Sequence, residues 1–350
     1  MSEVSDGGNA AETEREALAA IFREFLPTEA VLSREAELRP YECDGLTAYR
    51  RLPLLVLLPT EVPQVQKILR VCRDRDIPVV ARGAGTGLSG GALPHEHGII
   101  LSLARFNRIL ELDPDNRQAR VQPGVRNLAI SEAAKPHGLY YAPDPSSQIA
   151  CSIGGNVAEN SGGVHCLKYG LTVNNILEIT VVTIDGELVR FGGAGLDGPG
   201  YDLLALFTGS EGMLGVVIEA RVKLLPVPER AQVVLAAFDS VEKAGAAVAE
   251  IIAGGIVPAG LEMMDNPSIR AAEDFVHAGY PTEAAAILLC ELDGENTEVS
   301  DTIQRVRDQL LAAGATEVRT AVDEAERQRF WAGRKNAFPA VGRISPDYYC

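Results

Sequence analysis

The residues of this sequence with the clearest chemical potential lie in two glycine-rich stretches. The first, Ala81–Gly91, reads ARGAGTGLSGG and has five glycines between positions 83 and 91. Because glycine carries no side chain, successive N–H groups in such a loop can turn together toward an anion. Thr86 and Ser89 add hydroxyl donors. We therefore expect this loop to bind a phosphate or a pyrophosphate.

The same loop contains the G-x-G-x-x-G pattern, at Gly85–Gly90, without the context that gives the pattern its meaning. In a Rossmann fold the third glycine lies in a helix whose N-terminus faces the pyrophosphate. Here Gly91 is soon followed by Pro94 and by the strand-like run that begins at Ile99, which leaves no room for that helix. An NAD-dependent Rossmann dehydrogenase is therefore a disfavoured alternative. The sequence contains no G-x-x-x-x-G-K-[ST], which excludes a P-loop.

The second glycine-rich stretch, Cys151–Gly163, reads CSIGGNVAENSGG and follows the rigid turn Pro143–Ser147, PDPSS. A flat heterocycle needs close approach to the main chain and hydrogen bonds in the plane of its ring. Gly154 and Gly155 allow that approach, and Asn156 brings an amide. We expect this stretch to line the binding site of a planar group.

Composition limits the partners of the chain. The 350 residues include 32 basic and 48 acidic side chains, for a formal net charge of −16 and a pI near 4.8. Nucleic acids and anionic membranes require clustered Lys and Arg, so neither is expected as a partner. The N-terminus lacks the positively charged and apolar regions of a signal peptide, and no apolar run is long enough to span a bilayer. The six cysteines form no CxxC pair. We expect a cytoplasmic protein with no direct membrane insertion.

Regular elements surround the first loop. An amphipathic N-terminal helix that Pro27 ends precedes strand Leu54–Leu58, and a helix with Thr60 as its N-cap then leads to strand Ile77–Ala81. This order predicts a βαβ unit with parallel strands that delivers the chain into the loop. After the loop the sequence pattern changes to that of short strands, which we assign to an antiparallel region. These strands are Ile99–Leu103, Ile109–Leu112 and Ala119–Val121.

Turn and cap signals organise the rest of the chain. Asn127 is expected to cap a short helix, and Asp185-Gly186 predicts a hairpin between strands 176–184 and 188–191. Residues 192–200 read as a loop, and Val216–Leu224 as a strand. After Pro226 the pattern alternates between strands and helices, which suits an α+β sheet with helices on one face. The predicted elements are strands 232–238, 257–264, 285–291 and 316–320, and helices 240–253, 266–277, 295–313 and from Asp323.

Five ordered motifs resemble the serial signatures of the vanillyl-alcohol-oxidase-type (PCMH-type) FAD-linked oxidase family. They are RGAGTG from Arg82, PDPSS from Pro143, SIGGN from Ser152, Tyr169-Gly170, and GSEGMLGV from Gly209. Their order and spacing are similar to the D-2-hydroxyacid dehydrogenase branch, which includes bacterial glycolate oxidases. The resemblance runs from about residue 45 to the end.

The resemblance implies a fold and a domain order. The fold class is α+β: a PCMH-type FAD-binding domain of two α+β subdomains, followed by an incomplete ferredoxin-like α+β substrate (cap) domain. The corresponding ranges are an N-terminal helical extension (1–50), the FAD-binding domain (51–228) and the FAD-linked oxidase C-terminal domain (229–350). Relatives continue past the end of this sequence, so we expect the last domain to be truncated.

The resemblance also implies which residues bind FAD. The loop from Arg82 would hold the pyrophosphate, the stretches from Pro143 and Gly154 would line the isoalloxazine and ribityl portions, and the stretch from Glu211 would close the adenine or ring side. No histidine lies between Arg82 and Leu93, so a non-covalent flavin is expected. The full set is Arg82, Gly83, Ala84, Gly85, Thr86, Gly87, Leu88, Ser89, Gly90, Gly91, Pro143, Asp144, Pro145, Ser146, Ser147, Cys151, Ser152, Gly154, Gly155, Asn156, Ala158, Asn160, Gly162, Gly163, Tyr169, Gly170, Glu211, Gly212, Gly215, Val216 and Ile218.

Arg334 is the catalytic candidate. It stands where similar relatives place an arginine that binds the substrate carboxylate, a task that suits the guanidinium fork. A solvated helix arginine is the plainer alternative, and Lys335 is the second candidate. No histidine follows His277, so the divalent-metal site of relatives cannot be built from these residues, and we expect no metal.

The implied function is FAD-dependent oxidation of a small D-2-hydroxy acid, glycolate or D-lactate, to the 2-oxo acid, with electrons passed on to a partner subunit or a quinone. The implied partners are sister subunits of a glycolate oxidase complex, including an iron–sulfur subunit, through which any peripheral membrane association would arise. A flavin-binding subunit or fragment without independent catalytic activity is the alternative.

Overall fold

The computed structural model describes residues 6–195 and 200–344, and it divides into two compact units. The first contains the residues up to 141 together with 147–161 and 171–225. The second contains 142–146, 162–170 and the residues from 226 onward. The chain therefore leaves the first unit twice before its C-terminal part begins. Part of the expected loop 192–200 and the last six residues of the sequence lie outside the described ranges.

A four-stranded sheet in the first unit carries the start of the first glycine loop. Its strand order is β1-β2-β4-β3, with three parallel strands and β1 antiparallel at the edge. The apolar stripe of the intervening helix packs on this sheet, as its three- and four-residue spacing requires. The bounds are β1 (Val31–Leu32), β2 (Leu55–Leu57), α3 (Val62–Asp74), β3 (Val79–Arg82) and β4 (Ile99–Ser102), preceded by α1 (Asp6–Arg23) and α2 (Glu35–Leu38).

A five-stranded antiparallel sheet forms the rest of the first unit, in the order β5-β6-β10-β8-β9. Buried residues alternate along β10, so one face of the sheet packs on a core that includes Ile153 and Val157 of helix α5. The bounds are β5 (Ile109–Asp113), β6 (Gln118–Val121), α4 (Asn127–Ala134), β7 (Leu139–Tyr140), α5 (Ile153–Glu159), α7 (Thr172–Asn175), β8 (Ile176–Val182), β9 (Leu188–Gly192), α8 (Leu203–Phe207), β10 (Val216–Lys223) and β11 (Leu225–Pro226).

The second unit is built on a four-stranded antiparallel sheet in the order β13-β14-β12-β15. This order and the intervening helices are those of a ferredoxin-like fold with one added helix. The bounds are α6 (Cys166–Tyr169), β12 (Arg230–Phe238), α9 (Val241–Ala253), β13 (Gly260–Asp265), α10 (Asn266–Val276), β14 (Ala286–Gly294), α11 (Asn296–Ala312), β15 (Glu317–Thr320), α12 (Glu324–Lys335) and α13 (Ala337–Gly342).

Helices cover both faces of this second sheet, so the expectation of helices on one face is wrong. Helices α9 and α11 pack on one face, and α10 and α12 pack on the other. The continuous apolar runs of β12 and β14 are the sequence signal for burial on two sides, because a sheet with one wet face would alternate.

Three further expectations are corrected. The strand at Ile99 belongs to the parallel sheet, between β2 and β3, and not to the antiparallel region. All four residues of β4 are buried, as a central strand requires. The N-cap of α3 is Glu61 rather than Thr60, because Gln64 turns back to accept from the Glu61 N–H in a capping box. Helix α4 is preceded by Arg126 at the N-cap, and Asn127 is its first residue.

Two adjacent glycines at the end of β9 provide a matched test of this architecture. Gly192 has a φ of +84°, and a Cβ there would collide with the carbonyl oxygen of Leu177 on β8. Gly193 has open space around its Cβ position. We predict that Gly192→Ala lowers the free energy of unfolding by about 2 kcal/mol or more. Gly193→Ala should change it by less than about 0.5 kcal/mol. Urea denaturation followed by circular dichroism measures both, and equal losses would contradict the strand register.

Candidate functional site

A cavity in the first unit collects residues from both glycine-rich stretches. Most of the residues in its walls are glycine, alanine or serine. Predicted residues that line it come from the first loop, from α5 and from the start of β10. They are Arg82, Gly83, Ser152, Gly154, Gly155, Ala158, Gly212, Gly215 and Val216, accompanied by Ala81, Leu103, Pro123, Phe207, Ser210 and Val217.

Close backbone packing explains two of the glycines in this cavity. A Cβ on Gly83 would collide with the Ser152 hydroxyl, and one on Gly154 would lie 2.5 Å from the Cβ of Pro123. Ser152 caps α5, and its Oγ accepts from the Gly155 N–H at 3.4 Å. The absence of a side chain at Gly83 therefore lets the first loop approach the N-terminal turn of α5, and its absence at Gly154 lets that turn pack against Pro123.

Arg82 braces the first loop from within. Its Nη1 donates to the carbonyl oxygens of Cys43, at 2.8 Å, and Ala92, at 3.2 Å, so it ties the end of the loop to the preceding segment. The guanidinium also lies over the ring of Tyr41. Burial lowers the pKa of Arg82, and the nearby Asp44 carboxylate opposes that effect. The side chain of Arg82 therefore hydrogen-bonds to the protein's own backbone.

Carboxylates stand beside the same loop. The Ser89 hydroxyl donates to Glu159 at 2.9 Å, and a Cβ on Gly91 would lie 2.5 Å from the carboxylate of Glu211. Burial, together with the charges of Glu159 and Asp44, raises the pKa of Glu211. An anion bound here would depend on backbone N–H groups, because the side chains around the loop are largely acidic.

Several predicted ring-binding residues form bonds within the protein. Asn156 is buried; its Nδ2 donates to Ser161 Oγ, and its Oδ1 accepts from Asn127. Asn160 ends α5 in the left-handed region and accepts from the Val173 N–H. Cys151 is buried beside Asn156, and Ile218 packs in the core of the first unit. Tyr169 donates to Asp293 in the second unit.

The second unit contains a buried charged cluster centred on His165. The imidazole Nδ1 lies 2.9 Å from Asp144 Oδ2, and Nε2 lies 3.0 Å from Glu291 Oε1. The backbone N–H of His165 also donates to Asp144 Oδ1 at 3.2 Å. A Cβ on Gly163 would lie 2.5 Å from the Asp144 carboxylate, so that glycine is required for the approach.

The two carboxylates keep His165 protonated. Burial alone would lower its pKa, but the hydrogen bonds and charges of Asp144 and Glu291 raise the pKa from 6.5 to about 9. Burial alone would likewise raise the pKa of Asp144 and Glu291, but the cations beside them hold both below their ordinary values. Both ring nitrogens face carboxylate oxygens, so both must be donors, and the ring is an imidazolium at neutral pH.

Helix α12 supplies the other cations. Arg327 Nη1 donates to Glu291 at 2.8 Å, Trp331 Nε1 donates to the same Oε2 atom, and Lys335 Nζ donates to Asp144 at 3.1 Å. Arg334, the predicted carboxylate-binding residue, donates through Nε and Nη2 to the Glu262 carboxylate on β13, at 3.1 and 2.8 Å. Its side chain is about 30% exposed, so part of the guanidinium reaches solvent.

Sequence reasoning missed His165 and Glu291. Glu291 had a signal in the sequence, because it is a carboxylate that interrupts the apolar run of β14. An ionised side chain in a strand buried on both faces needs a partner. The identity of that partner could not be derived, because His165 lies 126 positions earlier in the chain.

Comparisons with known proteins identify the family of the chain. A family model described as an FAD binding domain matches residues 53–192, and a model of the C-terminal domain of FAD linked oxidases matches 227–350. The chain is 68% identical to the glycolate oxidase subunit GlcD of Escherichia coli (strain K12), over 97% of this chain and 68% of that protein. The chain belongs to the FAD-linked oxidase family. It is an FAD-dependent oxidoreductase by that membership, and the expected family, fold class and cofactor are confirmed.

More distant proteins are also similar to this chain, in sequence or in fold. The chain is 32% identical to a D-lactate dehydrogenase of Anaerostipes hadrus, over 91% of this chain and 69% of that one. A 4-ethylphenol oxidase from Gulosibacter chungangensis shares the fold with a TM-score of 0.79 at 21% identity, over 95% of this chain and 72% of that one. Among the described residues, no helix combines the length and the apolar character needed to cross a membrane.

The His165 cluster predicts a pH dependence of stability. Its raised pKa corresponds to on the order of 3 kcal/mol favouring the folded protein. That contribution is fully present below pH 6.5, the ordinary pKa, and is lost as the pH rises to about 9. We predict that the stability difference between wild type and His165→Gln shrinks by that amount over this interval. Denaturation at a series of pH values measures it, with the exposed His97→Gln as control. A constant difference would contradict a charged His165.

Proposed function

We propose that this chain oxidises a small D-2-hydroxy acid, glycolate or D-lactate, to the corresponding 2-oxo acid. The observation that carries the proposal is the 68% identity to a glycolate oxidase subunit over nearly the whole chain. The likeness to a D-lactate dehydrogenase supports the same substrate class. A 2-hydroxy acid presents a carboxylate, and the oxidation removes a hydride from its α-carbon and a proton from its hydroxyl group.

The proposed FAD site uses the residues expected from the sequence. The cavity of the first unit suits part of an elongated cofactor, since most of the residues in its walls are glycine, alanine or serine and admit close approach of a flat or diphosphate group. We assign the loop from Arg82 to the pyrophosphate, through its backbone rather than through the side chain of Arg82. The stretches from Pro143, Gly154 and Glu211 would hold the remainder, without a covalent bond. When bound, FAD supplies the hydride acceptor.

Arg334 is the proposed binding group for the substrate carboxylate. It donates to one oxygen of Glu262 through Nε and Nη2, none of the described residues accepts from Nη1, and the side chain is partly exposed. A bidentate or shared contact with a carboxylate would position the α-carbon, which is how oriented binding contributes to rate. The pairing also favours a second candidate function, a flavin-binding subunit without catalysis of its own, because Glu262 already neutralises Arg334.

We further propose that the chain works with sister subunits of a glycolate oxidase complex. The name of the Escherichia coli relative describes a subunit, which supports a multi-chain assembly. An iron–sulfur subunit would take electrons onward, and any peripheral association with a membrane would come through such partners. Co-purification of a tagged chain from its own cells, with iron analysis of the complex, tests this assembly.

The visible spectrum tests the function directly. The purified protein should show the absorbance bands of bound flavin, released by acid or heat because the attachment is non-covalent. Anaerobic addition of D-lactate or glycolate should bleach the long-wavelength band. A flavin that D-lactate and glycolate leave oxidised would support the second candidate, and a colourless protein after reconstitution would overturn the proposal.

Gly83 tests the placement of the pyrophosphate loop. We predict that Gly83→Ala weakens FAD binding by about tenfold or more, which corresponds to about 1.4 kcal/mol, because the new methyl group must push the loop away from Ser152. Titration of the apoprotein with FAD, followed by flavin fluorescence, gives the dissociation constant. Gly193→Ala, where the added carbon has open space, is the control and should bind FAD as wild type does. Equal affinities of the two variants would place the cofactor elsewhere.

Arg334 tests the carboxylate site. Replacement by Gln removes the charge, and we predict a loss of about 2 kcal/mol or more in kcat/KM, roughly thirtyfold, with the flavin spectrum unchanged. Arg329→Gln removes the same charge from an exposed position of α12 and should have little effect. Stopped-flow measurement of flavin reduction by D-lactate separates the two. Equal rates for both variants would assign the carboxylate to another cation, with Lys335 the first to examine.

A further inference from the structure

One face of α12 is attached to two buried carboxylates. Arg327, Trp331 and Lys335 are spaced four residues apart, so they lie along the same side of the helix. The first two donate to Glu291 of β14, and Lys335 donates to Asp144 of the turn that precedes Pro145. The helix is therefore held at three successive turns by only two acceptor groups.

His165 joins those two acceptor groups to each other. Its ring lies between Asp144 and Glu291 at 2.9 and 3.0 Å, and both carboxylates are almost completely buried. The ring centroid is also 5.9 Å from that of Trp331. Without a positive charge on His165, the buried carboxylates of Asp144 and Glu291 would have fewer cationic partners. The contacts that hold α12 against them would then be weakened.

Arg334 is on the same helix, next to Lys335, and its position follows that of α12. Its guanidinium donates to Glu262 of β13 and to neither of the two carboxylates that hold α12. A shift of α12 would move the guanidinium relative to the turn that contains Asp144. That turn is part of the stretch we assign to the isoalloxazine.

We propose that His165, in its doubly protonated form, is a positioning residue that holds α12 against Asp144 and Glu291 and thereby places Arg334 for the substrate carboxylate. The inference rests on the proposed function, since it assigns a role in the same carboxylate site. His165 itself touches neither substrate nor cofactor in this scheme and acts through α12.

The protonated form is required by the surroundings of the ring. Loss of one proton would direct a nitrogen lone pair at a carboxylate oxygen about 3 Å away. The charged groups that face the cluster are Lys335 behind Asp144 and Arg327 behind Glu291. On the helix that follows His165, Lys168 pairs with Asp293 of β14. Carboxylate affinity should therefore fall as the pH rises through the pKa of His165, near 9.

Trp331, the single tryptophan of the sequence, reports on this ring. A protonated imidazole quenches indole emission more strongly than a neutral one, so the emission should titrate with His165. We would measure the emission of the flavin-loaded protein from about pH 7 to about pH 10. The dissociation constant of oxalate, an unreactive carboxylate probe, would be measured by calorimetry on the same samples. If only the protonated form positions Arg334, that constant rises by about tenfold per pH unit above the pKa.

Three variants sharpen the comparison. Glu291→Gln removes one carboxylate, so the midpoint of both titrations should move to lower pH together. His165→Gln should bind oxalate weakly at every pH and show no titration of the emission. His97→Gln, which removes an exposed histidine, should behave as wild type does. Circular dichroism checks folding, and the wild-type titration needs no variant if His165→Gln fails to fold.

A common midpoint for emission and oxalate affinity in wild type, shifted together in Glu291→Gln, supports the inference. An oxalate constant that stays flat while the emission titrates overturns it and leaves the proposed function standing. The inference is also overturned, and the proposed function left standing, if the protein binds no oxalate at any pH although D-lactate or glycolate bleaches its flavin. A protein that shows no flavin absorbance after reconstitution with FAD, read before oxalate is added, overturns the proposed function and this inference together.

Discussion

Two buried carboxylates that share one imidazolium are the constraint on which the second unit depends. Asp144 and Glu291 lie in segments far apart in sequence, and each would be costly to bury as an unpaired charge. His165 between them, with Arg327, Trp331 and Lys335 around them, satisfies both. Removing one partner from such a cluster costs more than the cluster contributes as a whole, because the remaining charges stay buried. The cluster therefore specifies one arrangement of turn, strand and helix rather than simply adding stability.

The first unit meets its main requirement with backbone instead of charge. Its cavity depends on glycines at places where the main chain passes another segment closely, such as Gly83 at Ser152 and Gly154 at Pro123. Arg82, the one guanidinium in the cavity wall, donates hydrogen bonds to the carbonyl oxygens of Cys43 and Ala92. A cofactor site of this kind recognises shape and backbone donors, so it tolerates the acidic character of the chain as a whole.

The two units therefore have different roles in the proposed function. In the proposed assignment, the cavity of the first unit would hold part of the cofactor. The second unit has cations on helix α12, which buried charge pairs hold in place. The turn that contains Asp144 belongs by its contacts to the second unit, although its neighbours in sequence belong to the first.

The sequence by itself determined the two glycine-rich stretches, the order of the five family motifs, the periodicity of α3, and the alternation of strands and helices after Pro226. These are local properties, since they follow from residue type and short spacing. Only the tertiary structure decided that β4 lies between β2 and β3, that helices cover both faces of the second sheet, and that Asn156 turns its amide inward. Only it brought His165 to Asp144, 21 positions away, and to Glu291, 126 positions away. The physical reason is that burial of a charged side chain requires a partner of opposite charge, but the residue type does not determine which group that partner is. The partner depends on which distant segments the fold packs together.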